Sequence, residues 1–156
     1  MQLMNHQFIL WIALLCYAAH MLEEYFYNWK DWVFKTLGLV ATWTDFYVVN
    51  TFVLFMGVAC ASIGWNCIWV SLLFPGFMLV NAVVFHVFPV IRYRKFSPGV
   101  ITAILLFLPV IAFSYYYALQ NGGTVTDIFV SLLIGAIFMF YPIILQVTKN
   151  KDFFKQ

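Results

Sequence analysis

The 156-residue chain is 65% hydrophobic and 21% aromatic, only 9% of it is charged, and its mean hydropathy is +0.93. A soluble domain carries about a quarter charged residues and a little under half apolar ones, so this composition excludes one and points to the membrane. Eight Lys/Arg against six Asp/Glu leave a net charge of +2, too little for a nucleic-acid-binding face, so nucleic acid is excluded as a partner.

A bilayer-spanning helix needs about 20 apolar residues, so the chain has room for about six and none for a second domain. Residues 1–22, 46–91, 96–126 and 128–148 carry no charge, and the charged residues between them mark the ends of spans. The first span is expected over 8–28; it lacks a basic n-region and its apolar run is long, so it reads as retained rather than cleaved. The connector 29–44, with Trp29, Trp32, Phe34 and Leu37, reads as a short helix on the membrane surface. The uncharged stretch 46–91 would reach about 69 Å as one helix at about 1.5 Å per residue, roughly twice a hydrocarbon core, and must fold back. Gly64-Trp65-Asn66 is the natural turn, giving spans over 45–64 and 68–91. A fourth span over 98–119 starts at Pro98-Gly99 and stops before Gln120-Asn121-Gly122-Gly123. The fifth covers 125–147. The expected fold is therefore all-α, a single transmembrane domain of five helices over 1–156, with Asp45 and Asp127 capping the second and fifth. Cys16, Cys60 and Cys67 have no metal-binding or redox spacing and read as free thiols.

Five spans place the termini on opposite sides. One side receives no Lys or Arg, and the other receives Lys30, Lys35, Arg92, Arg94, Lys95, Lys149, Lys151 and Lys155. The positive-inside rule makes that side cytosolic, N-out and C-in, in a multi-pass protein of the bacterial cytoplasmic membrane. Tryptophans fit the same frame: Trp11, Trp65 and Trp69 fall near outer ends, and Trp29, Trp32 and Trp43 near inner ends. Gly57, Ala61 and Gly64 form a small-residue stripe suited to close helix packing.

Ionisable residues inside such spans are costly and mark function by default. His20, Glu23 and Glu24 are spaced to share one face of the first span. Glu23 lies about 7 Å inside the helix end and His86 about 9 Å from the same end of the third span, so their depths match. Two adjacent carboxylates at low dielectric need compensation: protonation, an arginine partner, or a divalent cation balanced against two neutral imidazoles. A Zn, Fe or Mn site would use His20, Glu24 and His86 as ligands and Glu23 as the general base, a face similar to the inverzincin His-x-x-Glu-His pattern. Asn81 lies near the midplane, suited to a substrate contact or an interhelical hydrogen bond, and Pro75 and Pro89 should kink this helix. Arg92 and Arg94 would hold an anionic headgroup or serve as anchors.

The chain resembles the HXXEE-domain family of small integral membrane proteins. His20-x-x-Glu23-Glu24, Asn81-Ala82 followed by His86, and Phe96-Ser97-Pro98-Gly99 carry the resemblance in family order over most of the chain, with Phe96 where the family's last motif has tyrosine. The resemblance implies a site at these motifs and names no reaction.

The leading expectation is a metal-dependent hydrolase or transferase acting on a lipid or other amphiphile from the cytosolic leaflet. In it Glu23 is catalytic, His20, Glu24 and His86 hold the metal, and Asn81, Arg92 and Arg94 bind substrate. The alternatives are a proton-coupled transporter or channel subunit using the same Glu and His cluster, and a structural subunit whose polar groups fix helix register. Without an internal repeat, five spans suit a carrier only in a homo-oligomer, which the sequence leaves open.

Overall fold

The computed structural model describes residues 5–148, so Lys149, Lys151 and Lys155 of the positive-inside count lie outside the described residues. Among the described residues six helices follow one another: α1 (Phe8–Phe26), α2 (Trp29–Leu37), α3 (Trp43–Ile63), α4 (Leu73–Tyr93), α5 (Val100–Gln120) and α6 (Val125–Thr148). All but α2 are long and apolar enough to cross a membrane, and the protein is an all-helical, multi-pass membrane protein.

The fold-back inside the longest apolar stretch falls where expected. Gly64 at φ 55°, ψ −149° and Cys67 at φ −144°, ψ 89° leave the helical region, and one helical turn, Ile68–Ser71, leads towards α4. The Ser71 hydroxyl donates to the Gly64 carbonyl and the Cys60 thiol to the Val70 carbonyl, satisfying groups that helix ends leave open. Reciprocal caps start α3 and α6. Thr42 and Asp45 exchange bonds of 2.9 and 3.1 Å, and Thr124 and Asp127 exchange bonds of 2.8 and 3.2 Å. All three cysteines are free.

α4 and α5 each contain a π-helical turn, over Asn81–Val87 and Ala103–Phe107. Each turn ends two residues before a proline, Pro89 and Pro109. A proline in a regular helix lacks its N–H and presses its ring on the carbonyl four residues back, here Phe85 and Leu105; the wider turn relieves that crowding.

α1 packs against α3 and α5, while α4 packs against α3, α5 and, most extensively, α6. Tyr17, Phe74, Phe77, Met78 and Phe107 fill the centre, each 3% exposed or less. Lipid chains are as apolar as these side chains, so close van der Waals fit rather than water exclusion holds the helices together. At Gly57 an added Cβ would stand 2.7 Å from Leu14 Cδ1, consistent with the small-residue stripe. The closest backbone approach lies elsewhere: a Cβ on Gly76 would meet the Ser131 carbonyl oxygen at 2.6 Å, and one on Gly135 the Phe77 nitrogen at 2.6 Å.

Candidate metal centre

The His20-x-x-Glu23-Glu24 segment occupies the last two turns of α1, but its three polar residues do not act in one direction. His20 and Glu24, four apart, face the same neighbour, whereas Glu23 turns towards the start of α5. The π-helical turn of α4 brings His86 to the first pair. Its Nε2 stands 3.5 Å from Glu24 Oε1, and His20 Nε2 stands 3.7 Å from the same oxygen. The two imidazole rings meet edge to face with centroids 4.7 Å apart. Both histidines are 0% exposed and Glu24 is 6% exposed.

Among the described residues neither Nε2 has a hydrogen-bond partner. An orphaned buried nitrogen is costly, and here two of them converge on one carboxylate. One atom from each residue fits in a group whose members all lie within 4.8 Å of one another. Two donors sharing a tetrahedral cation at about 2.0–2.2 Å stand about 3.4 Å apart. These residues therefore fit a divalent metal.

The Nδ1 sides of both rings are held by hydroxyls. Ser97 Oγ lies 3.3 Å from His86 Nδ1, and Thr102 Oγ1 lies 2.8 Å from His20 Nδ1. Thr102 has one hydroxyl proton, and two acceptors claim it: Glu23 Oε2 at 2.6 Å and the Gly99 carbonyl at 3.2 Å. Towards His20 the hydroxyl is thus an acceptor, so Nδ1 carries the hydrogen and Nε2 keeps a bare lone pair. A carboxylate–hydroxyl–imidazole chain of this kind orients a metal-binding histidine.

Glu23, expected as the proton-moving base, is placed otherwise. Its Oε1 accepts the backbone N–H of Gly99 at 3.0 Å and Ile101 at 3.1 Å, and its Oε2 accepts the Thr102 N–H at 2.7 Å as well as the hydroxyl. The carboxylate caps the first turn of α5, where open N–H groups and the helix dipole favour negative charge. Gly99, at φ 96°, makes this possible; a Cβ there would stand 2.6 Å from Cε1 of both His20 and His86. Ser97, Gly99 and Thr102 were thus visible as a motif or as plain helix residues, with no sequence signal for their places around the histidines.

Glu24 also faces a cavity of about 190 Å³ bounded by α1, α2, α3, α4 and α6. Asn81 lines it, with its amide 3.8 Å from Met139 Sδ. Below Glu24 on α1, the Tyr17 hydroxyl donates to Asn50 Oδ1 at 2.6 Å, a buried polar pair that the reading of the spans passed over. Arg92 and Arg94 are exposed and do not line the cavity; Arg92 lies over the Tyr93 ring at 5.7 Å.

Fold and centre together define a multi-pass helical membrane protein with a buried His/Glu/His group able to hold a metal ion. The chain belongs to the HXXEE family: the family model, described as a protein of unknown function with an HXXEE motif, matches residues 11–114 and so spans every residue of the centre. No curated protein and no solved structure matches the chain.

Proposed function

We propose that the protein is a membrane-embedded, metal-dependent hydrolase or transferase that acts on an amphiphile drawn from the cytosolic leaflet. The observation that carries this reading is the pair of buried Nε2 atoms, without a hydrogen-bond partner among the described residues, aimed at Glu24, itself part of the wall of an apolar cavity. Two imidazoles and one carboxylate leave a fourth position open, as in catalytic rather than structural zinc sites. A divalent cation there supplies Lewis acidity towards a carbonyl or phosphoryl oxygen and makes water acidic enough to act as a nucleophile near neutral pH.

In this reading His20, His86 and Glu24 bind the cation. Glu23 is a positioning residue that holds α5 and, through Thr102, sets the His20 tautomer. Asn81 is in place to contact substrate at the cavity wall.

Metal analysis of protein purified without chelator tests the proposal. Wild type is expected to hold about one Zn, Fe or Mn per chain, and His86→Ala and Glu24→Ala to hold none while keeping helical content and elution volume. Metal-free wild type that cannot be loaded would end the metal-dependent reading.

The cytosolic placement rests on the basic residues at the α2 and α4 ends. In a cysteine-free variant of whole cells, Gly122→Cys should react with a membrane-impermeant maleimide and Gly38→Cys should not. The reverse pattern would invert the topology.

A further inference from the structure

The cavity narrows the class of amphiphile. An apolar cavity of about 150 Å³ takes a benzene-sized guest, so one of about 190 Å³ holds a short length of one hydrocarbon chain and not two side by side. On one wall α2 presents Trp29, Val33 and Leu37 at successive turns of the helix, and Phe46 and Phe77 face it from α3 and α4. The left-handed residues Asn28 (φ 54°) and Gly38 (φ 69°) bound α2, and Trp32 Nε1 ties it to the Phe96 carbonyl at 2.8 Å.

Charge decides the head group. Among the described residues no Lys or Arg lines the cavity; its two carboxylates are Glu24 and Asp45, and Asp45 is committed to the cap of α3. With a divalent cation in place, Glu23 and Glu24 balance it and the centre has no net charge. A charged head group brought there would shed water and meet no Lys or Arg among the described lining residues, while an uncharged one loses no charge solvation.

We propose that the cavity binds the chain of an uncharged, single-chain amphiphile, a fatty ester, amide or alcohol, with its polar group at Glu24. The charge balance rests on the metal reading; the size and apolar lining do not.

The test uses the purified protein in nanodiscs of dioleoyl phosphatidylcholine, a two-chain lipid, and a monopalmitoyl glycerol carrying a diazirine on its chain. After irradiation the label is expected on peptides of α2 and α3. Excess unlabelled monopalmitoyl glycerol should lower it about tenfold, a difference of about 1.4 kcal/mol, while palmitoyl lysophosphatidate and dipalmitoyl glycerol should not. Val33→Trp, which fills the cavity, should lower labelling as far; if that variant misfolds, Ala41→Phe at the loop wall replaces it.

Labelling confined to other helices, equal competition by lysophosphatidate, or labelling unchanged in a folded filling variant would overturn the proposal. Selective labelling of wild type that holds no metal would uphold the chain site and sink the metal-dependent function. Metal without selective labelling would do the opposite.

Discussion

Gly99→Ala should severely weaken metal binding without touching a metal-binding atom. Two penalties combine at this position. The backbone sits at φ 96°, where a residue with a Cβ is strained by about 1–3 kcal/mol. The new methyl would also lie 2.6 Å from Cε1 of both histidines. Neither ring can retreat cheaply: His20 is held by Thr102 and packs on Phe107 at a centroid distance of 4.4 Å, and His86 is 0% exposed with Ser97 at its Nδ1. Zinc affinity is expected to fall by about 100-fold or more, beyond the 10–100-fold of an altered supporting residue. Gly38→Ala separates the two penalties, because it has φ 69° and nothing within 4 Å of its added Cβ. That variant should lose some thermal stability and keep its zinc. A Gly99→Ala protein with wild-type zinc affinity by titration calorimetry would contradict the placement of both rings.

Glu23→Ala should be the most destabilising change in the motif, though Glu23 is not a proposed ligand. It strips acceptors from three backbone N–H groups and a hydroxyl at a helix start with little water nearby. Each buried donor left without its acceptor costs about 1–3 kcal/mol. A fall in Tm larger than that of Glu24→Ala is the expected result in detergent, and an equal or smaller fall would refute the capping role. Thr102 isolates the second role of Glu23. Thr102→Val keeps the backbone cap and removes only the hydroxyl, freeing the His20 ring to take either tautomer. Zinc affinity should then drop about 10–100-fold, and Thr102→Ser should restore it. The 15N signals of His20 should show Nδ1–H in wild type and in the serine variant; Nε2–H in wild type would defeat the relay.

Much of the fold could be read from 14 charged residues and a few glycines. Asp45 and Asp127 cap the helices they were assigned to, Gly64 turns the chain within the longest apolar run, and the spans agree to within a few residues. The histidine–glutamate meeting was legible too, since matched depth on two helices is a one-dimensional property. What spacing could not supply was direction. Glu23 and Glu24 are neighbours separated by about 100° around α1, enough to give them different partners. The π-helical turn through Asn81–Val87 further shifts which residues face inward, and no periodic pattern announces it. The Gly76–Ser131–Gly135 approach was missed because its residues come from two spans, whereas the stripe at Gly57 lies on one.

The contact of Glu23 with the start of α5 bridges up to 79 positions of sequence. During synthesis α1 enters the bilayer with its carboxylate long before any of the four donors exists, and all of them arrive together between Gly99 and Thr102. The chain must therefore be made through its fourth span before this carboxylate is satisfied. A fragment ending earlier contains His20, Glu24 and His86 but none of the donors that Glu23 binds. Satisfying this buried carboxylate therefore waits on the docking of the first helix on the fourth to cross the membrane.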